Sequence, residues 1–257
     1  MLIFRQNLCG DLVEIVKVNY IFLWNVHDEI CFGYENTALG CELMSNDFTK
    51  IKLYHMTEID NLSSILSTGC LLSNKSIRDN CVNNTSIANQ SVQSHREETQ
   101  IYFPPNGTLH EYVPFYFAPR SPMLYAIYKN NVDTYCGDQS RIIYLCTNVQ
   151  IVLDHSYQYV FTDGHAIVEY TQQYNNVNEL FTAIDWELMK AKFWNNTDED
   201  RDRKRRRQAE FLIYRFFNMN DVTEIAVKET SIRNQVQQLF AEKNFLKPIQ
   251  VKPEWYF

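Results

Sequence analysis

Two periodicities divide this chain into short strands and helices. At period two, Lys52 to Thr57 reads as a strand, as do Val113 to Phe117, Arg141 to Thr147, Tyr159 to Phe161 and Glu224 to Lys228. The run Arg207-Gln208-Ala209-Glu210-Phe211-Leu212-Ile213-Tyr214 predicts another, with Glu210, Leu212 and Tyr214 on one face and Phe211 and Ile213 on the other. Apolar positions three and four apart mark helices. Ile59, Leu62, Ile65 and Leu66 form one stripe, with Asp60 as its N-cap and Gly69 as its stop. Further helices are expected over Pro122 to Lys129, Asn178 to Phe193 and Ser231 to Lys243. From Ser73 to Gly107 the chain is polar and barely periodic, the mark of a functional or disordered connection. This order predicts a mixed α+β fold with antiparallel or mixed sheets.

Residues 1–48 read as a separate unit of two or three short strands around Val13, Ile15, Tyr20–Trp24 and Ile30–Tyr34, and they carry no motif. The main domain is then 49–257. With 45% hydrophobic residues, 16 Tyr, 16 Phe and only 7 Gly and 7 Pro, the chain can build a sizeable core and is not low-complexity. No apolar run is long enough for a membrane span, and no secretion signal opens the chain. Seven cysteines, an odd number, show no CxxC pair and no metal-ligand spacing with histidine. A cytoplasmic, metal-free protein with reduced thiols, away from membranes, is the expectation.

The net charge of −7 argues against a nucleic-acid ligand until its distribution is considered. Residues 1–48 hold two basic and seven acidic side chains, which leaves −2 for the remainder. There the positive charge concentrates at Arg201, Arg203, Lys204, Arg205, Arg206 and Arg207. Such a ridge is compatible with a phosphate chain. It is equally compatible with a solvated helix face, because Asp198, Glu199, Asp200 and Asp202 adjoin it.

Three segments carry candidate chemistry. Glu210, at the start of an apolar strand, could face a developing positive charge or could merely pair with a neighbouring arginine. His55 and Thr57 share a face of the first strand and offer donors and acceptors that suit a ribose or carboxamide, although a lone strand histidine is as often structural. The segment from Leu109 to Tyr125 is an aromatic strand, then a proline-bracketed turn, then a helix start with Arg120 and Met123. Its aromatics suit ring stacking and its arginine a phosphate, while part of the strand is ordinary core.

The segment Tyr-His-Met-Thr (54–57) is followed by Ile-Asp-Asn-Leu (59–62), Val-Pro-Phe-Tyr-Phe-Ala-Pro-Arg-Ser-Pro-Met-Leu-Tyr (113–125) and Arg-Gln-Ala-Glu-Phe-Leu (207–212). In this order the motifs resemble the DarT family of toxins that ADP-ribosylate DNA, distant relatives of poly(ADP-ribose) polymerases. The resemblance runs from about residue 50 to Phe257. It implies an ADP-ribosyltransferase fold, NAD+ as substrate, Glu210 and Arg96 as catalytic residues, and an NAD site including His55, Met56, Thr57, Ser64, Leu72 and Arg96. The segment from about Ser73 to Glu97 would wrap NAD. DNA would meet Arg120, Ser121, Pro122, Met123, Leu124, Tyr125, His165, Trp194, Lys204 and Arg207. The implied partners are single-stranded DNA, with thymidine as the modified base, and a macrodomain antitoxin that reverses the modification. Three other readings stay open from the residues: transfer to RNA or protein, a non-catalytic nucleic-acid-binding module, and, last, a cysteine hydrolase. No Cys here has a nucleophile context.

Overall fold

The structure is a computed structural model that describes residues 47–257 throughout and, within 1–46, only four strands. The chain divides into two compact units, Met1–Ser45 and Asn46–Phe257. In the first, β1 (Ile3–Gln6) pairs antiparallel with β2 (Leu12–Ile15), and β3 (Trp24–Val26) with β4 (Glu29–Cys31). The expected strand from Tyr20 lies mostly outside the described residues.

The second unit adds β5 (Lys52–Glu58), β6 (Cys70–Leu72), β7 (Tyr112–Tyr116), β8 (Ile142–Asn148), β9 (Tyr159–Thr162), β10 (Gln173–Tyr174), β11 (Glu210–Tyr214), β12 (Phe216–Asn218), β13 (Glu224–Val227) and β14 (Ile249–Val251). Its helices are α1 (Asn61–Thr68), α2 (Asn74–Asp79), α3 (Gln90–Glu98), α4 (Pro122–Tyr128), α5 (Val149–Asp154), α6 (Leu180–Ala183), α7 (Trp186–Lys190), α8 (Arg203–Arg206) and α9 (Thr230–Glu242). Eight strands form one sheet in the order β10-β9-β11-β7-β5-β8-β13-β14, antiparallel except for the parallel β13–β14 pair. This is the mixed α+β architecture expected.

Both faces of the sheet are covered, which is why its central strands are nearly continuous in apolar residues. Leu53, Phe115, Phe211 and Ile213 pack with Leu62 of α1, Val152 of α5 and Val236 of α9. The other face packs Tyr54, Met56 and Tyr144 against Leu124 and Ile127 of α4 and against Tyr256. The alternation read around Glu210 holds, since Leu212 joins a third cluster with Val160 and Tyr112.

Several boundaries differ from those the pattern predicts. The helix expected over 178–193 is two short pieces, because Asp185 restarts it by accepting from Leu188 N at 2.9 Å. Asp60 precedes α1 without capping it; its side chain pairs with Arg141 at 2.8 Å instead, while Gly69 does terminate the helix at φ +73°. The polar 73–107 segment contains two helices, α2 and α3, started by Ser73 and Asn89, whose side chains accept backbone N–H bonds. Capping rather than an apolar stripe defines them, so periodicity does not find them.

Candidate active site

Glu210 opens β11 between β9 and β7, in register with Tyr116, which is itself in register with Tyr54. At 1% exposure its carboxylate is fully enclosed. Oε2 accepts from Arg96 Nη1 at 2.7 Å and Oε1 from the Ala166 backbone N–H at 3.3 Å. The Glu210 N–H donates to Thr162 Oγ1 at 3.1 Å, which ties the start of the strand to β9. The glutamate does pair with an arginine, but with one 114 residues away on α3 rather than a neighbour in the 201–207 run. Arg96 is itself buried at 8% exposure, and its Nη2 has no partner among the described residues. A buried carboxylate met by one charged and one backbone donor is oriented without cost at the moment of reaction, and such a group is suited to stabilising an adjacent cation.

Tyr116 sits beside this pair. Burial raises its phenol pKa, helped by the Glu210 charge, so it stays protonated, and its hydroxyl donates to Met123 Sδ at 3.6 Å. His165 is half-buried one residue before Ala166. Burial lowers its pKa, and the Glu210 charge opposes that shift.

β5 and β7 share a single residue pair, Tyr54 with Tyr116, whereas β5 and β8 pair along their length. The imidazole of His55 bridges the parted ladder, with Nδ1 2.8 Å from Pro114 O. As donor there, Nδ1 carries the proton and leaves Nε2 as an acceptor. Burial holds the His55 pKa down at about 4, so the ring is neutral at ordinary pH. Alternation places His55 with Phe115, its ring neighbour at 5.5 Å, and Met56 with Tyr54. His55 and Glu210 therefore lie on opposite faces of the sheet, next to the parting between β5 and β7.

Thr57 leads to a residue that pattern alone did not single out. Asn61 is buried; its Nδ2 donates to Thr57 Oγ1 at 3.0 Å and to Thr85 O at 2.9 Å, and its Oδ1 accepts from Thr85 N at 2.6 Å. It pins the polar 80–89 loop onto β5. Ser64 repeats the device one turn on, donating to Asn83 O at 2.9 Å. Ser64 and Leu72 line one small hollow with Val82 and Asn83. A clasp of His110 was also missed. Its Nδ1 lies 2.6 Å from Arg78 Nη2 and its Nε2 2.9 Å from Gln93 Oε1, joining α2 and α3 to the turn before β7.

The residues expected to face DNA divide into two sets. Arg120, Met123 and Tyr125 reach the surface, and Lys204 is exposed. Ser121, Pro122, Leu124, Trp194 and Arg207 are buried. Ser121 caps α4 by accepting from Leu124 N at 3.2 Å, and Trp194 packs 5.8 Å from Tyr125. Arg207 turns its guanidinium inward. It gives Nη1 to the carbonyls of Leu188 and Met189 and Nη2 to that of Pro119, each at 2.6 Å, and so braces the site from beneath. Arg120 holds a left-handed backbone at φ +56°, a strained conformation for a non-glycine residue and one that collects at functional turns.

Four arginines of the 201–207 ridge are engaged within the domain, whereas Arg201 and Lys204 are exposed without an ion pair among the described residues. Arg205 pairs with Asp163 at 2.9 Å and Asp202 at 2.8 Å, Arg206 with Asp200 and Asp185, and Arg203 donates to the carbonyls of Asn195 and Phe193. Among the described residues no three of His, Cys, Asp or Glu gather as a metal site, and no helix is long and apolar enough to cross a membrane. Cys70, Cys81, Cys136 and Cys146 are free thiols.

Comparison with known proteins agrees with this fold. A family model described as "ssDNA thymidine ADP-ribosyltransferase, DarT" matches residues 54–257. The DNA ADP-ribosyl transferase of Thermus aquaticus is 39% identical over 207 residues, 80% of this chain and 88% of that protein. That of Escherichia coli O127:H6 is 30% identical over 209 residues, 81% and 94% of the two chains. The solved structure of Thermus sp. 2.9 DarT in complex with ADP-ribosylated ssDNA matches with a TM-score of 0.75 at 34% identity, covering 80% of this chain and 96% of that one. The same DarT in complex with NAD+ gives a TM-score of 0.71 at 32% identity, over 80% and 98%. The family match, the relatives and the shared fold together define an NAD-dependent DNA ADP-ribosyltransferase. The chain belongs to the DarT family.

Proposed function

We propose that this chain transfers the ADP-ribose of NAD+ to the base of a thymidine in single-stranded DNA and releases nicotinamide. The observation that carries the reading is the buried Arg96–Glu210 pair at the start of β11, inside the segment that matches the family. Its relatives support the substrates: Thermus sp. 2.9 DarT has been solved with NAD+ and with ADP-ribosylated ssDNA.

Breaking the bond from nicotinamide to ribose C1′ sends the electron pair to the nicotinamide nitrogen and leaves an oxocarbenium-like ribose, as in glycoside hydrolysis. Glu210, on accepting the ribose 2′-hydroxyl, stabilises that charge. A thymine ring nitrogen then closes the new bond to C1′ and gives up its proton to solvent water. A guanidinium is a poor base; Arg96 holds Glu210 in place and turns its free Nη2 toward NAD+. His55, Met56, Thr57, Ser64 and Leu72 line the dinucleotide's path, and the parting between β5 and β7 lets one molecule reach both faces of the sheet. Arg120, Met123, Tyr125, His165 and Lys204 meet the DNA, while Ser121, Pro122, Leu124, Trp194 and Arg207 shape the surface from below. An unpaired base needs no extraction from a duplex, which suits this site.

The product blocks replication, so the enzyme acts as a toxin in the cytoplasm and needs no metal. A macrodomain antitoxin that removes the modification is the matching partner. In Thermosipho africanus, a relative is named a DNA ADP-ribosyl transferase-DNA ADP-ribosyl glycohydrolase fusion protein. Residues 1–48 are an extension separate from the 49–257 transferase domain.

The test is incubation with NAD+ and mixed-sequence single-stranded oligonucleotides, beside Glu210→Ala. An adduct of ADP-ribose mass on thymidine, absent with the variant, is the expected result. Modification of RNA or protein alone would overturn the DNA reading.

A further inference from the structure

The arginines of the 203–207 run are engaged within the domain, so the 201–207 ridge offers a ligand only the exposed Arg201 and Lys204, and further cationic charge lies elsewhere. Arg120 and Lys129 have no ion pair among the described residues, and both sit over aromatic rings. Arg120 Cζ is 4.4 Å from the centroid of Phe257, and Lys129 Nζ is 4.8 Å from Tyr128 and 5.5 Å from Tyr125. Tyr125 and Tyr128 lie three residues apart on α4 and are 38% and 44% exposed. Tyr125 meets Phe257 edge-on at 5.0 Å, and Tyr128 stacks on it at 5.8 Å with planes inclined by 23°. Phe257 is held from behind by buried Gln139, whose side chain donates to Phe257 O and accepts from Phe257 N at 2.8 Å. The rings are thus fixed before any ligand arrives, and two of them face solvent.

We infer that Tyr125, Tyr128 and Phe257, flanked by Lys129 and Arg120, form a stacking platform for a nucleotide beyond the two that adjoin the modified thymidine. This rests on the DNA-transferase reading above and extends the DNA path beyond the Arg120 turn. Every base has a face that stacks on an aromatic ring, so the platform takes a flanking nucleotide of any sequence. The two cations meet its phosphates without a competing carboxylate. Continuity with Arg120 and Met123, which adjoin the Glu210 face through Tyr116, sets the direction of the strand.

The experiment compares kcat/KM for a long single-stranded oligonucleotide and for a thymidine-centred trinucleotide, in the intact chain, Tyr128→Ala and Tyr128→Phe, each checked by thermal melting. Losing one stacking partner lowers the long-to-short ratio about fivefold or more, and Tyr128→Phe restores it. In a second variant, Lys129→Ala, the salt dependence of oligonucleotide binding flattens by about 0.7 in logarithmic slope, the share of one phosphate on a single strand. An unchanged ratio with an unchanged slope overturns the platform, as does an equal loss on both substrates. If the intact chain modifies neither oligonucleotide, it is the DNA reading that has failed, a result distinct from failure of the platform.

Discussion

Arg96 Nη1 and Glu210 Oε2 stand 2.7 Å apart although their residues are 114 positions apart in the chain. The contact joins a polar helix with little apolar surface to the first residue of a central strand. Both side chains are almost wholly enclosed, so neither charge is screened by water and each depends on the other.

Removing one partner therefore has two consequences. Glu210→Ala abolishes transfer and also leaves Arg96 buried and unpaired, at a cost of about 3 to 5 kcal/mol. Glu210→Gln keeps an acceptor for Arg96 and stays closer to the parent in thermal stability, yet transfers no ADP-ribose. Denaturation curves and product mass for the two variants separate charge from shape; an active Glu210→Gln would exclude the role given to the carboxylate.

His55 makes stability depend on pH. The folded ring resists protonation down to about pH 4, whereas in the unfolded chain it takes up a proton near pH 6.5. Its contribution is complete above about pH 6.5 and is lost as pH falls toward 4, by at most about 3 kcal/mol. His110 and His165 shift in the same direction through burial. Melting temperature against pH is expected to fall less steeply in His55→Gln than in the parent; parallel curves would contradict the assignment.

Arg207→Ala is a stability variant. Three carbonyls, two of them buried, lose their donor, and about 3 kcal/mol or more is lost with them. Arg207→Lys does not restore it, because a single ammonium cannot span the fork. Chemical denaturation measures the loss. For the folded fraction, the salt slope of DNA binding is expected to stay as in the parent, since the Arg207 guanidinium is turned inward to carbonyls. A shallower slope would return Arg207 to the DNA surface.

The clasp of Arg78, His110 and Gln93 sets where α3 lies, and Arg96 is one turn beyond Gln93 on that helix. His110→Ala and Gln93→Ala are each expected to lower kcat about tenfold, consistent with the cost of misplacing a reacting group. The double variant is expected to fall little further, because both act through one position. Additive losses measured in that cycle would show that they do not act together.

The parts legible in the sequence have local causes. The strand beginning at Glu210 follows from two-residue alternation, and α1 ends at Gly69 because the left-handed residue there suits glycine. Long motifs around His55, Arg120 and Glu210 also carried the family and its chemistry into view, since they are contiguous. The chain did not reveal α2 and α3, whose formation rests on the caps Ser73 and Asn89. Nor did it show that the helical pattern over 178–193 breaks at Asp185.

By itself, then, the sequence determined the alternating core strands, the stopped helix and the candidate residues. Tertiary structure decided which charges meet. It joined Arg96 to Glu210, turned Arg207 inward to three carbonyls, and paired Arg205 and Arg206 with aspartates, leaving Arg120 and Lys129 as cations over an aromatic surface. The reason is physical: periodicity is set by neighbours along the chain, whereas the state of a charge is set by burial and by partners that arrive from distant positions.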